Sequence, residues 1–150
     1  MSTAVLKLTP TQPDFVPAEE ARQEARRFLA SMLPASRAVA AKVFDSIEFV
    51  DAGENFRRVS CPNCGKEIDG AWWSEAMSEA HAARFRRLEV AVPCCGAEIS
   101  LNDLNYDFPQ GFARFVLQAI DPNVAALDSE ATGMLERILG CPLRVIWAHY

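Results

Sequence analysis

The spacing of apolar residues changes along the chain, and each spacing predicts one kind of element. Residues 3–8 contain an apolar alternation that favours a short strand. Over residues 18–33 the apolar positions share one helical face, and Pro34 follows, so we predict a helix that ends there. Residues 44–50 are β-like and are followed by the turn-forming segment 51–55.

The second half of the chain continues the alternation of strands and helices. Asp69-Gly70 is typical of a helix start, and Gly140 followed by Pro142 is typical of a helix end. The patterns predict a helix over about 71–85, strands over 88–92 and 112–120, a helix that begins between 124 and 129 and ends at 139, and a strand over 143–148.

The predicted order of elements indicates the fold. Outside the cysteine region it is strand–helix–strand followed by strand–helix–strand, which is the order of a ferredoxin-like split βαβ sheet. We therefore predict a single α+β domain over residues 1–150, a ferredoxin-like sandwich with a zinc-ribbon module inserted at about 55–110. The length of 150 residues and an apolar content of 50% fit one packed domain.

Charge and composition narrow the class of protein. The formal net charge of −5 argues against a broad phosphate-binding surface. No apolar run reaches the roughly 18 residues that cross a bilayer, and the first residues lack the pattern of a secretory signal. We therefore expect no membrane partner. Five cysteines is an odd number, which argues against a disulfide framework, so we also expect a reducing, cytoplasmic location.

Four of the five cysteines lie in two short turns that end in glycine. The turns are CPNCG at 61–65 and PCCG at 93–96. Four thiolates arranged tetrahedrally hold a structural zinc ion, and such a closed shell leaves no position for a catalytic water. The sequence therefore predicts a structural Zn²⁺ whose ligands are Cys61, Cys64, Cys94 and Cys95.

The two cysteine turns align with each other. Residues 59–68 match residues 90–99, as the paired knuckles of a zinc ribbon would. In this alignment Val92 stands where Cys61 stands, so the fourth ligand is either the displaced Cys94 or another residue. Adjacent cysteine ligands resemble the CxxC…CC site of a small archaeal and eukaryotic RNA polymerase subunit. That similarity covers the ligands only and implies no polymerase role.

Two further residues bear on the cysteine site. His81 lies between the turns and is the substitute for Cys94 as fourth ligand, although a lone histidine on a helix is more often part of the core. Cys141 follows a helix-stopping glycine and is expected to be a buried free thiol. A redox CxxC pair would need only two cysteines, so two aligned turns are better explained by a metal.

The segment 100–112 is rich in Asn, Asp and aromatic residues. Asp103 and Asp107 are candidates for an acid–base pair, but a capped turn beside the zinc is the preferred explanation, since no histidine or nucleophile lies nearby in sequence. Tyr106 and Phe108 are better candidates for a binding surface, because aromatic residues anchor interfaces.

Basic residues flank both turns. A zinc ribbon that binds nucleic acid is therefore the alternative to a module that binds a protein partner. Between Phe56 and Ser100 six acidic residues balance the six basic ones, so the protein charge of this segment cancels. The basic residues are Arg57, Arg58, Lys66, Arg84, Arg86 and Arg87.

Two further motifs follow the cysteine turns, SLNDL at 100–104 and PQGFARF at 109–115. Together with CPNCG and PCCG they resemble a family of small uncharacterised bacterial proteins. The resemblance spans about residues 50–120, with a weaker similarity at 143–150. It implies a bacterial, cytoplasmic protein with a zinc ribbon, and it implies no activity.

The sequence thus predicts a non-enzymatic, zinc-stabilised module that binds a protein partner. A bacterial immunity or accessory protein is one specific version of this hypothesis. The sequence contains no glycine-rich phosphate loop, GxSxG or HExxH motif, so no enzyme class is indicated.

Overall fold

Nine strands, three α-helices and one short 3₁₀ helix make up the computed structural model, which describes residues 2–150. In chain order they are β1 (Ala4–Pro10), α1 (Glu19–Met32), β2 (Ala38–Val50), β3 (Val59–Ser60), β4 (Glu67–Ile68), α2 (Gly70–Ala82), β5 (Glu89–Ala91), β6 (Glu98–Ser100), the 3₁₀ helix (Leu101–Asp103), β7 (Asn105–Tyr106), β8 (Gly111–Ile120), α3 (Ser129–Leu139) and β9 (Leu143–His149). Among these described residues, no helix combines the length and apolarity needed to cross a membrane.

The four long strands form one sheet in the order β2-β8-β1-β9, and all neighbours are antiparallel. Helices α1 and α3 pack against one face of this sheet. Their buried side chains meet those of β1 and β8 in one apolar core, whose members are Leu6, Leu8, Ala25, Leu29, Leu33, Phe115, Leu117, Ala119, Leu135 and Leu139. The sheet and these two helices therefore bury a common apolar face, which confirms the α+β class.

The helices that flank the sheet lie close to their predicted positions. Helix α1 lies between Pro17 and Pro34, as the proline positions require. Helix α3 begins after Asp128, whose carboxylate accepts from Ala131 N at 2.8 Å, and ends at Gly140 with a left-handed φ of 76°. Glycine adopts this conformation without steric cost, so local sequence alone ends the helix.

Two element boundaries differ from the sequence prediction by three residues or more. Strand β2 begins at Ala38 rather than at residue 44, because pairing with β8 makes a strand of small residues that show no alternation of their own. Helix α2 ends at Ala82 rather than at residue 85. Arg84 and Phe85 have φ values of 57° and 56°, which end the helix, and Phe85 is buried.

The second face of the sheet is covered by the chain that leaves β2. Lys7 on β1 is almost completely buried, and its Nζ donates to the backbone oxygen of Asp51 at 3.0 Å and to the Tyr150 hydroxyl at 2.7 Å. Gly53 then forms a bridge to His149 at the outer edge of β9. A Cβ at Gly53, whose φ is +60°, would collide with the His149 carbonyl oxygen, so this close approach requires glycine.

The segment between β2 and β8 forms a second packing unit. It contains the three-stranded sheet β4-β3-β7, the hairpin β5-β6 and helix α2. Aromatic rings from α2, β2 and β8 fill its core: the rings of Phe49 and Phe85 each lie 5.2 Å from that of Phe112, and Trp73 lies 6.1 Å from Phe49. Phe112, the second residue of β8, thus joins this unit to the main sheet.

A buried asparagine also links the second unit to the main sheet. Asn102, in the 3₁₀ helix, accepts hydrogen bonds from Phe112 N at 3.0 Å and from Arg144 Nη1 at 2.7 Å. Its Nδ2 donates to Thr11 O at 2.9 Å. A Cβ at Gly111 would collide with the Arg144 guanidinium. The motifs SLNDL and PQGFARF therefore build a polar junction, which explains their Asn and Gly.

We expect Asn102→Ala to lower the free energy of unfolding by about 3 kcal/mol, because the buried Phe112 N–H and the half-buried Arg144 guanidinium each lose a hydrogen bond to Asn102. Chemical denaturation measures this loss. The control is Asn105→Ala, which removes an exposed amide of the same unit and should change stability by less than about 0.5 kcal/mol. Equal stabilities of the two variants would show that Asn102 does not hold the junction together.

Candidate metal centre

The first knuckle (residues 59–68) consists of β3, β4 and the first cysteine turn, which connects the two strands. Cys61 N donates to Lys66 O at 2.8 Å, and Gly65 N donates to Cys61 O at 2.8 Å. Gly65 has a φ of 79°, which lets the chain reverse after the second cysteine. The backbone N–H of Asn63 points at Cys61 Sγ over 3.4 Å. This local geometry directs the sulfurs inward.

The second knuckle (residues 90–99) connects β5 to β6 and repeats the same hydrogen bonds. Val92 N donates to Ala97 O at 3.0 Å, and Gly96 N donates to Val92 O at 2.9 Å. Val90 lies opposite Ile99, as Val59 lies opposite Ile68 in the first knuckle. The alignment of 59–68 with 90–99 therefore holds residue by residue in the backbone.

The two knuckles bring four sulfurs together. The Sγ atoms of Cys61, Cys64, Cys94 and Cys95 all lie within 4.8 Å of one another, and those of Cys61 and Cys95 are 3.8 Å apart. All are free thiols; Cys61 is buried, Cys94 is half-buried, and Cys64 and Cys95 are exposed. The four side chains lie close enough to hold one metal ion.

The four thiols lie close enough to shift one another's pKa values. The pKa of Cys95 is lowered to about 7, first by the hydrogen bond from the Asn63 side chain and then by the Ala97 backbone. The pKa of Cys94 is raised to about 12 by partial removal from water, with the hydrogen bonds and charges of Cys64 and Cys61 adding to the effect. Crowded thiols cannot all ionise alone, whereas a bound cation favours the thiolates and would release their protons.

His81 and Cys141 lie outside this cluster. The His81 side chain is exposed on α2, and its ring lies 5.6 Å from that of Phe85 in an edge-on arrangement. Cys141 is half-buried, and burial followed by the charge of Glu136 raises the pKa of its thiol to about 11. The structure therefore places Cys94, and not His81, with the other three cysteines.

The residues of segment 100–112 divide into core and surface. Asp103 and Asp107 are exposed and line different depressions, and Asp107 pairs with Arg58 at 3.7 Å, so they form no carboxylate pair. Tyr106 donates from its hydroxyl to Leu101 O at 2.6 Å and accepts from Trp73 at 3.2 Å. Tyr106 is half-buried and packs against the core of the second unit, whereas Phe108 is exposed.

Asn63 belongs to the centre although the sequence did not predict it there. Asn63 directs its side-chain Nδ2 at Cys95 Sγ over 3.4 Å, so it joins the first knuckle to a sulfur of the second. The alignment contained the signal, because Asn63 matches Cys94. A residue type that is common in turns gave no reason to look for this contact.

Comparison with models of protein families, with curated proteins and with solved structures found no match to this chain. The resemblance to a bacterial family in the cysteine and SLNDL motifs therefore stays a prediction. The chemistry of the centre rests on the residues described above.

We expect Cys94→Ser to lose the bound metal and His81→Ala to keep it, because only Cys94 lies within the sulfur cluster. Metal per chain can be counted by elemental analysis of the purified variants. Cys141→Ser is the matched control, since it removes a thiol outside the cluster. A full complement of metal in Cys94→Ser, or its loss in His81→Ala, would contradict this ligand set.

Proposed function

We propose that the protein is a non-enzymatic interaction module whose cysteine centre holds one structural Zn²⁺. The observation that carries the proposal is the convergence of four sulfurs from two equivalent knuckles. A tetrahedral set of four thiolates suits zinc and completes its coordination shell. A complete shell offers no place for a substrate or an activated water, which supports a structural role.

The elements around the centre support a role of the metal in folding. Strands β3, β4 and β7 contain two residues each, and β5 and β6 contain three each. Strands of this length bury little apolar surface and are marginal by themselves. Zinc binds four preassembled thiolates more tightly than the same cysteines in an unfolded chain, so zinc would hold both knuckles in place.

The fold proposed for this function is a ferredoxin-like sandwich with an inserted zinc ribbon. The sheet order β2-β8-β1-β9, all antiparallel, with α1 and α3 on one face, supports the first part. The backbone equivalence of the two knuckles supports the second part. The centre would then be an attachment on a scaffold that has a core of its own.

Phe108 is the residue that best supports a protein partner. Its side chain is 41% exposed, and its φ is 62°, a conformation that costs energy for a residue with a Cβ. Both features are unfavourable for folding alone and occur together beside the first knuckle, next to the Arg58–Asp107 pair. An exposed aromatic ring in such a place is typical of an interface anchor.

Nucleic acid is the second candidate partner. All six basic residues that flank the knuckles are exposed, which favours phosphate contacts. The equal number of acidic residues between Phe56 and Ser100 and the overall charge of −5 oppose a phosphate-binding surface. We therefore prefer a protein partner, in a cytoplasm that keeps the thiols reduced, with a bacterial immunity or accessory role as the specific version.

We expect the purified protein to contain about one zinc per chain, and removal of the metal by a chelator to unfold the knuckles while the main sheet stays folded. Elemental analysis gives the stoichiometry. Backbone amide exchange, compared between zinc-loaded and stripped protein, should show lost protection in 59–68 and 90–99 and retained protection in β1 and β8. A metal-free protein with fully protected knuckles would refute the structural role of zinc.

We expect Phe108→Ala to weaken partner capture from native cells without changing zinc content, and Cys64→Ser to abolish both. The capture should be done with and without nuclease. Val124→Ala is the control variant, because Val124 is as exposed as Phe108 but lies outside the second unit. A partner that survives nuclease and is lost in both variants supports the interaction proposal. Recovery that nuclease removes would favour the nucleic-acid alternative instead.

A further inference from the structure

Asn63 makes contacts in the metal centre that the set of four cysteines does not account for. Its backbone N–H donates to Cys61 Sγ and its side-chain Nδ2 donates to Cys95 Sγ, each over 3.4 Å. The two sulfurs belong to different knuckles. Asn63 therefore binds both halves of the centre without being a ligand.

The equivalence of the knuckles explains how Asn63 reaches the second sulfur. Since the hydrogen bonds of Gly65 and Gly96 match, Asn63 and Cys94 occupy the same third position of their turns. Each directs its side chain toward the opposite knuckle: Asn63 toward Cys95, and Cys94 into the cluster that includes Cys61. One backbone position thus serves once as a hydrogen-bond donor and once as a ligand.

The contact lies on the solvent side of the centre. Cys61 is fully buried, whereas Cys95 and Asn63 are exposed. Water and competing ligands reach a bound metal from this side, so exchange begins at an exposed sulfur. A hydrogen bond to a thiolate stabilises its charge and fixes its orientation, as partners of metal ligands generally do.

We propose that Asn63 is a positioning residue that slows release of the metal by holding the exposed Cys95 thiolate. The inference rests on the proposed metal binding and goes beyond it, because it assigns the rate of release to a residue outside the ligand set. The same equivalence implies that the second knuckle could supply its ligand from position 92 instead of position 94. With a cysteine at 92 and an asparagine at 94, its sequence would have the same pattern as the first knuckle.

Release of zinc from the loaded protein to an excess of a chromogenic chelator tests the proposal. Asn63→Ala should release zinc about 10–100-fold faster than the wild type, because loss of a partner of a metal ligand typically lowers metal affinity by about this factor and we expect the loss to fall on the release rate. Asn63→Asp should be faster still, because it keeps the shape, removes the donor and adds a negative charge beside thiolates. The control is Asn105→Ala, an exposed amide of the same unit without a contact to sulfur, and it should match the wild type.

Alkylation of the thiols in the zinc-loaded protein, mapped by mass spectrometry, is the second readout. Asn63→Ala should increase the rate at Cys95 more than at Cys61, which a general loosening of the fold would not do. Release and alkylation rates equal to the wild type in a variant that keeps one zinc would overturn the role of Asn63. A wild-type protein without zinc would instead overturn the proposed metal binding, and this inference with it.

The double variant Val92→Cys/Cys94→Asn tests the equivalence of the knuckles independently of rates. It should keep one zinc per chain, because the new cysteine occupies the place that Cys61 has in the first knuckle. Cys94→Asn alone should lose the metal. A folded double variant without zinc would show that the two knuckles are not interchangeable.

Discussion

The pairing of β2 with β8 is the constraint on which the rest of the structure depends. Val50 at the end of β2 lies opposite Gly111 at the start of β8, so the chain between them must leave and return at the same end of the sheet. An insertion with adjacent ends can fold around its own core without disturbing the strands that hold it. The register of β2 with β8 shifts between Val43 and Glu48, and Ile47 and Phe49 pack against this core.

The junction between the two units is both apolar and polar. Phe112 buries its ring among aromatic side chains of the second unit, while the backbone next to it belongs to the ladder of the main sheet. Asn102 and Arg144 add hydrogen bonds that only one relative placement satisfies, since buried polar groups that lose a partner are costly. Apolar contacts supply affinity between the units, and the polar contacts supply a specific geometry.

The four cysteines of the candidate metal centre differ in exposure. The buried Cys61 connects the centre to the apolar core of the second unit, and Cys64 and Cys95 face solvent. Val92 takes the buried place of Cys61 in the second knuckle, so an apolar side chain stands there in place of a thiol, and Cys94 is the fourth sulfur of the cluster. The asymmetry follows from one substitution in two otherwise equivalent turns.

Elements with local signals could be predicted from the order of residues alone. Prolines placed α1, Gly140 ended α3, and the glycines after the cysteines specified two equal turns, because each of these residues restricts the backbone within a few positions. The sequence also named Cys61, Cys64 and Cys95, three of the four cysteines that the structure brings together. It left the choice between Cys94 and His81 open, since spacing does not reveal which side chains meet.

Tertiary structure decided what depends on distant partners. Strand β2 begins at Ala38 because β8 lies beside it, and the exposed or buried state of Tyr106 depends on Trp73, which is far away in sequence. The contact of Asn63 with Cys95 exists only after both knuckles have met. Local patterns report on backbone conformation and on one buried face, whereas these contacts arise from packing between segments, which no single segment encodes.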